Sequence, residues 1–426
     1  MRILYLHQHY SAPSGSTATR SHAMARALTA RGHAVTMACG RYAGAVSGLE
    51  GPFRRGRRVG RTGGIEVVEF DIPCGNAQGL GARGLAFLRF AARAAPLALA
   101  RRFDLAIASS TPLTVTLPAL LGWHVAGLPF VFEIRDPWPE LPRAMLAGAG
   151  PGSLPVRAAL AAMAPLANAA CRRACAVVAL SEGMAETAIA RGADPAGVHV
   201  VPNGCDLDLF GPHIAPWRPE EARPWECLAV YAGAHGTANG LDRLLDAAAL
   251  LRGESRLRLL LIGEGAEKQR LMRRAGLEGL ANVTFLDPLP KTRLAALLAG
   301  SQIGVHLLGE VPEFAEWTAP NKLMDYLAAG LPVVTNVAGH AARLVADPQQ
   351  GVCGIAVPPG DAVALAEALA ALVGDPARRA AMGRAAREQA VRRWDRRLLA
   401  ARFCDIVEAA ADTPRALAAP RLRDAA

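Results

Sequence analysis

Aromatic side chains make up only 5% of this 426-residue chain. That scarcity argues against an aromatic-rich β-sandwich and for helices packed closely on sheets. Lysine is absent from the first 213 residues, where 21 arginines stand against 13 acids for a net +8; the remainder carries 26 basic and 24 acidic residues. The eight cysteines, Cys39, Cys74, Cys171, Cys175, Cys205, Cys227, Cys353 and Cys404, never form a CxxC pair. Neither a metal site nor a disulfide framework is expected, and a reducing cytoplasm fits. No G-X-Y or heptad repeat is present, which excludes a fibrous protein. Zinc-finger, RNA-recognition and basic-zipper patterns are missing too, so no nucleic-acid partner is expected. Residues 1–10 are too short and too polar for a signal peptide, and no small-residue cleavage site follows. With 52% hydrophobic and 20% charged residues, the chain is folded rather than disordered, and its length suggests two or three domains.

Residues 105–132 carry no Asp, Glu, Lys or Arg, long enough for a membrane span. Pro112, Pro118 and Pro129, with Gly122 and Gly127, divide the stretch instead into a strand (105–109), a helix (113–125) and a second strand (130–134). A different membrane signal lies earlier. Phe53-Arg54-Arg55-Gly56-Arg57-Arg58 is a basic run, and residues 85–93 are apolar with Arg89 and Arg93. Such surfaces suit either peripheral docking on anionic lipid or an ordinary loop and surface helix. The positive first half also calls for an anionic partner on that side.

Short β-rich runs alternate with helical patterns throughout. Strands are predicted at 3–6, 34–39, 66–70, 105–109, 130–134, 176–180 and 198–202, then at 227–232, 257–262, 283–286, 303–307, 333–335 and 354–357. Helices are predicted between them, for example at 20–31, 157–173, 241–251, 267–275, 292–298, 322–329 and 361–372. This rhythm implies βαβ crossovers and parallel sheets. The fold class is therefore α/β with two doubly wound, Rossmann-like domains, joined where Pro202, Asn203-Gly204, Gly211-Pro212 and Pro216 cluster. The expected division is 1–205, then 206–394, then a terminal helix from 395 that returns to the first domain. The Ala/Arg-rich tail after Asp412 is expected to fray. Ligands in such sheets bind at the carboxyl ends of the strands, so two facing sheets would form one cleft.

Two constellations in the first half carry chemistry. A Gly/Ser loop, residues 11–20 with Gly15 and ending in Arg20, runs from the first strand into a helix. Small residues there admit a ligand, helix N–H groups favour anions, and Arg20 adds positive charge. Only one glycine is present, so a dinucleotide fingerprint is excluded. The second is Phe132-Glu133-Ile134-Arg135-Asp136-Pro137-Trp138-Pro139-Glu140 at a strand end, where charged side chains would project into the cleft. A third string, Asn203-Gly204-Cys205-Asp206-Leu207-Asp208, contains a DxD pattern that reads as a turn or helix cap rather than a metal ligand set.

Three loops after predicted strands stand out in the second half: Gly233 to Gly240 with His235 and Asn239, then Gly263-Glu264-Gly265, then Ala319-Pro320-Asn321-Lys322 leading to Asp325. Glycines allow close backbone approach. Lys322 at a helix start suits a diphosphate, and Asp325 one turn on would accept hydrogen bonds from a ribose diol. Lys268 stands where a dinucleotide fingerprint needs its third glycine.

Taken together, residues 132–140, 201–210 (VPNGxDxxxF) and 320–334 (PNKLxxYLAAGxPVV) resemble the family 4 glycosyltransferases of the GT-B fold, in particular those that build O-antigen, capsule or colanic-acid-type polysaccharides. The resemblance covers about residues 1–410. It implies retaining transfer of a hexosyl unit from a UDP- or GDP-linked sugar, used as substrate, without a catalytic metal or other cofactor. The second domain would bind the nucleotide through Gly233, His235, Gly263, Gly265, Asn321, Lys322 and Asp325, with Gly15 and Arg20 contributing from the first. The first domain would bind an oligosaccharide or lipid-linked acceptor, with Glu133, Arg135 and Asp136 at the reaction. The family's E-x7-E pair survives as Asp325 alone. Trp317 stands at the other position, leaving Glu313 or Glu316 as substitutes. The family's basic pair after the first strand of the second domain is replaced by His235 and Asn239. Arg135 stands where many relatives have His. An epimerase on the same fold and a non-catalytic subunit of a glycan-assembly complex are the competing expectations.

Overall fold

A computed structural model describes residues 1–15, 17, 19–75, 78–148, 154–318 and 320–413. The expected fraying after Asp412 concerns a tail that from Pro414 onward lies outside the described residues, as do Ser16, Ala18 and Ala319 of the two candidate loops. The chain divides into two units, Met1–Pro202 with Arg397–Ala426, and Asn203–Arg396.

The first unit holds an eight-stranded sheet. Its strands are β1 (Arg2–Leu6), β2 (Ala34–Tyr42), β3 (Arg57–Thr62), β4 (Ile65–Cys74), β5 (Leu105–Ser109), β6 (Phe130–Ile134), β7 (Ala176–Ala179) and β8 (Val198–Val200), in the order β3-β4-β2-β1-β5-β6-β7-β8. Every pairing is parallel except β3 with β4. Central strands read as unbroken apolar runs because helices cover both faces. Ile3, Tyr5, Met37, Ile107 and Val131 are buried in one cluster together with Leu399, Phe403 and Val407 of the terminal helix Arg396–Ala411. The Tyr5 and Phe403 rings stack at 6.4 Å. The terminal helix therefore completes the core of the unit that the chain left some 200 residues earlier.

β3 is a strand that the sequence pattern missed. Arg57 and Arg58, read as part of a basic run on a loop or lipid surface, open this edge strand. Arg58 bonds Glu69 at 2.6 Å and lies 4.7 Å over the Phe53 ring. Its half-buried positions are Arg58, Gly60 and Thr62, and its one apolar residue, Val59, is exposed, so hydrophobic period alone cannot find it. The second membrane signal falls on the helix Leu80–Leu99. It buries Phe87 and Phe90 and leaves Leu85, Leu88, Arg89 and Arg93 exposed. No helix among the described residues is long and apolar enough to cross a membrane.

The second unit holds a six-stranded, all-parallel sheet: β9 (Cys227–Ala232), β10 (Leu257–Ile262), β11 (Val283–Leu286), β12 (Ile303–His306), β13 (Val333–Thr335) and β14 (Gly354–Ala356), in the order β11-β10-β9-β12-β13-β14. Apolar clusters pack on both faces. Close packing of the helix Asn321–Ala328 on the sheet depends on Gly304 of β12: a Cβ there would lie 2.7 Å from the Tyr326 ring. Strand order reverses between β1 and β5 in the first unit and between β9 and β12 in the second. These are the two topological switch points, where adjacent crossovers diverge and open a crevice at the carboxyl ends.

Candidate active site

Lys322 occupies the second unit's switch point. It is the second residue of the helix Asn321–Ala328, which follows β12 in the chain and packs on it. Its Nζ donates to the Tyr231 hydroxyl at 2.8 Å, meets Asn239 Oδ1 at 3.5 Å and lies 4.0 Å from the centre of the Tyr231 ring. The Tyr231 hydroxyl in turn donates to the Ala234 carbonyl at 2.8 Å, which fixes the loop after β9. The chain has three lysines. Lys268 bonds Glu264 and Asp287, and Lys291 bonds Asp325, whereas Lys322 makes no ion pair among the described residues. Burial without a carboxylate brings its ammonium down to about 7. A half-buried cation with neutral partners has the chemistry to receive an anion.

The glycines around Lys322 serve packing more than an amide cradle. A Cβ on Gly233 would lie 2.9 Å from Lys322 Nζ, so this glycine makes the room that the ammonium fills. Gly263, at φ +147, lets the loop after β10 pass over the Gly233 carbonyl, which a Cβ would approach to 1.8 Å. Gly265 sits equally close to the His235 backbone. The amides of Gly233, His235 and Gly263 already donate to the carbonyls of Ile262, Glu264 and Leu286. This corrects the expectation that they face a ligand. The orphan N–H groups available here are those of the first turn that Asn321 opens.

His235 is fully buried between the Tyr231 and Phe285 rings, and neither ring nitrogen has a partner among the described residues. Burial, with help from Lys268 and Lys322, lowers it to about 4, so it is a neutral group and no substitute for the missing basic pair. His306, at the end of β12, donates or accepts at Thr335 Oγ1 (2.9 Å) and is lowered to about 3 by burial and by Lys322. Sequence reasoning missed His306 and Tyr231 as neighbours of Lys322. Their only signal was their place at the ends of β12 and β9.

Asp325 departs from its expected role. It is 3% exposed and its carboxylate is taken by Lys291 at 2.6 Å, so it is not presented to a ribose. A buried carboxylate needs a paired cation, and Lys291 at the start of the helix Lys291–Ala299 supplies it. Of the proposed substitutes near Trp317, Glu316 pairs with Arg343 at 2.8 Å, while Glu313 is exposed.

The first unit's charged string divides into an internal pair and an outer pair. Glu133 is fully buried. It accepts from Arg20 Nε at 2.8 Å, from the Ser109 hydroxyl at 2.5 Å and from the Tyr5 hydroxyl at 3.1 Å. Arg20 is 2% exposed, and its remaining donors hold the carbonyls of Val201 and Pro202 at 2.9 and 2.6 Å. Two expectations are corrected: Arg20 is not available to a ligand phosphate, and Glu133 does not reach an acceptor hydroxyl. Burial pushes Glu133 upward most, yet Arg20, Arg135 and Ser109 together hold it below the usual carboxylate range. Gly15 is also internal, since a Cβ there would meet Ser11 Oγ at 2.3 Å.

Arg135 and Asp136 are half-buried at the carboxyl edge of the sheet. The Arg135 amide donates to Ser110 Oγ at 3.0 Å, which ties the ends of β5 and β6 together. Asp136 accepts the Thr111 hydroxyl, and burial raises its pKa against the pull of Thr111 and Arg135. Asp136 and Trp138 line a small cavity with Phe132, Cys171 and Arg191. The DxD string caps its own turn, because Asp206 Oδ1 accepts from the amides of Asp208 and Leu209. Among the described residues no group of three or more His, Cys, Asp or Glu could hold a metal ion, and all eight cysteines are buried thiols.

Comparison with known proteins agrees with this two-unit geometry. The "Glycosyl transferase 4-like domain" family matches residues 15–204, and "Glycosyl transferases group 1" matches residues 226–375. The D-inositol 3-phosphate glycosyltransferase of Kribbella flavida is 31% identical over 214 residues, 47% of this chain and 48% of that protein. The putative colanic acid biosynthesis glycosyl transferase WcaI of Escherichia coli is 29% identical over 160 residues, 36% of this chain and 38% of that protein. The chain thus spans about half or less of the length of these curated relatives. Among solved structures, Alr3699/HepE of Anabaena in complex with UDP and glucose superposes with a TM-score of 0.68 at 20% identity, covering 96% of this chain and 99% of that one. WaaG, a glycosyltransferase involved in lipopolysaccharide biosynthesis, gives 0.65 at 17% identity over 95% and 99%.

Proposed function

Because the chain belongs to the family 4 glycosyltransferases of the GT-B fold, we propose that it moves a hexosyl unit, with retention, from a UDP- or GDP-linked sugar to a lipid-linked glycan acceptor in surface-polysaccharide assembly. The observation that carries this reading is Lys322, a half-buried ammonium with neutral partners at the switch point of the second sheet. A nucleoside diphosphate leaving group develops negative charge as the glycosidic bond breaks. Lys322 and the first-turn amides of the helix Asn321–Ala328 supply fixed positive charge there, the electrostatic role that a divalent metal takes in other transferases. Retention by a front-face route asks little of a side-chain base. Asp136, held by Thr111, orients the acceptor hydroxyl.

The exposed Leu85 and Leu88 with Arg89 and Arg93 on one helix support a peripheral association with an anionic membrane, where a lipid-linked acceptor resides. The reading is tested with a thermal-shift panel of UDP- and GDP-sugars, followed by NMR of the product's anomeric configuration. Stabilisation by one nucleotide class and a retained configuration are expected. A panel in which no sugar nucleotide stabilises the protein contradicts the proposal, and epimer formation without acceptor replaces it with an epimerase.

A further inference from the structure

The chain leaving β1 runs through His7, Gln8 and His9 at the switch point of the first sheet. His7 is buried, with Nδ1 3.1 Å from the Ser109 carbonyl and Nε2 2.7 Å from Arg135 Nη1. A carbonyl can only accept and a guanidinium can only donate. Nδ1 therefore carries the hydrogen, and Nε2 offers its lone pair to Arg135. Burial, then Arg135, keeps His7 well below its usual pKa, so the ring is neutral. Arg135 is thus oriented by a group that takes none of its charge.

Glu133 pairs directly with Arg20 and Asp136 accepts from the neutral Thr111 hydroxyl, while both carboxylates act on Arg135 only beyond ion-pair distance. Arg135 makes no ion pair among the described residues. Neither does Arg83 of the helix Leu80–Leu99, whose guanidinium lies over the Phe87 ring at 5.9 Å. Both cations act on His9, lowering it, after burial, to about 3. The His9 ring lies 4.1 Å from the Tyr42 ring, and its buried Nε2 has no partner among the described residues. The His9 ring lies 6.4 Å from the His7 ring that holds Arg135 and 6.1 Å from the Phe87 ring that Arg83 covers, so two guanidinium groups flank one imidazole nitrogen that has no partner among the described residues. A buried ring nitrogen left unpaired beside half-buried guanidinium groups is a place that an anion completes.

We propose that Arg135, Arg83 and His9 form an oxyanion subsite in the first unit, separate from Lys322, which receives a phosphate group of the acceptor, with His7 as the positioning residue for Arg135. Assigning the anion to the acceptor rests on the proposed function; the subsite itself does not. Guanidinium donors match phosphate oxygens in pairs, and the neutral His9 ring can donate from Nε2.

Inorganic pyrophosphate is the probe, titrated calorimetrically into the full chain with and without a saturating sugar nucleotide. Two sites are expected in the wild type. The sugar nucleotide displaces one, which Lys322→Ala also abolishes. The other persists and weakens about tenfold or more in Arg135→Gln and Arg83→Gln. Both arginines are half-buried, and melting temperature checks that the variants fold. His7→Phe should weaken the second site as well, and His7→Gln, whose amide oxygen can still accept from Arg135, should restore part of it. A single, fully displaceable site, or a second site unchanged in both arginine variants, overturns the subsite. To identify the source of the anion, KM is compared for a pyrophosphoryl-linked acceptor and the same glycan with a neutral aglycone. The preference for the charged acceptor should collapse in Arg135→Gln. An equal preference in wild type and variant would overturn the acceptor assignment and point to free phosphate.

Discussion

Lys322 Nζ stands 2.8 Å from the Tyr231 hydroxyl and 4.0 Å from the centre of its ring, with no carboxylate paired to it among the described residues. This makes donor binding sensitive to pH. The ligand-free ammonium titrates near 7, below its ordinary value of 10.5. A bound diphosphate favours the charged form, so binding above pH 7 takes up a proton, and affinity falls about tenfold per pH unit until the bound-state value is passed. The other groups facing Lys322 do not titrate in this window: His235 and His306 lie at about 4 and 3, and Tyr231 is pushed well above its usual value. Calorimetry of a UDP-sugar in buffers of different ionisation enthalpy should show this uptake. Lys322→Arg, whose side chain stays charged, should abolish it.

The same shift affects stability with a defined sign. Between pH 7 and about 10.5 the unfolded chain binds more protons at Lys322 than the folded chain does. Its contribution to stability therefore rises with pH across that window, and the burial penalty is complete below 7. Denaturant titrations of wild type and Lys322→Met at pH 7 and 9 should converge as pH rises. A gap that widens would refute the assignment.

Two neighbouring glycines should respond differently to alanine. At Gly233 the added methyl meets the flexible end of Lys322, so Gly233→Ala should weaken donor binding with little change in melting temperature. At Gly263 the methyl would meet the Gly233 carbonyl at 1.8 Å, in a backbone conformation that disfavours side chains. Gly263→Ala should cost on the order of 2–4 kcal/mol of stability. Gly253→Ala, which points into open space, is the control.

Breaking the Arg20–Glu133 pair leaves a buried charge alone. Glu133→Ala and Arg20→Ala should each destabilise the first unit by about 3–5 kcal/mol. Because Glu133 is held below its ordinary pKa, its contribution is present above the usual carboxylate range and lost as pH falls through the lowered value. Acid unfolding of Glu133→Gln should therefore be shallower than that of the wild type.

Asp136→Asn should lower turnover by about 100-fold or more while leaving donor affinity within twofold, since its contacts lie in the first unit and Lys322 lies in the second. An equal loss in both parameters would move Asp136 from the acceptor to the donor side.

The alternating strands and the placing of Lys322 beside Gly233 were legible in the sequence, because both follow from local patterns: apolar runs between turn residues, and loops after parallel strands. Pairings across long separations were not. Arg20 and Glu133 are 113 residues apart, and Lys291 and Asp325 are 34 apart. Only the folded sheet decides that these charges neutralise one another instead of facing a ligand. Glu133 did carry a signal: it is a carboxylate inside an apolar strand of a sheet covered on both faces, which requires an internal cation. Edge strand β3 carried none, since its half-buried side is lined by Arg58, Gly60 and Thr62 and its one apolar side chain, Val59, is exposed.

The central claim is that a nucleoside diphosphate sits against Lys322 at the carboxyl end of β9. Calorimetric titration of wild type and Lys322→Ala with the sugar nucleotide that stabilises the protein best, at pH 6.5, tests it most directly. A loss of about 10–100-fold in affinity at unchanged melting temperature is predicted. Equal affinity in the two proteins would contradict the account.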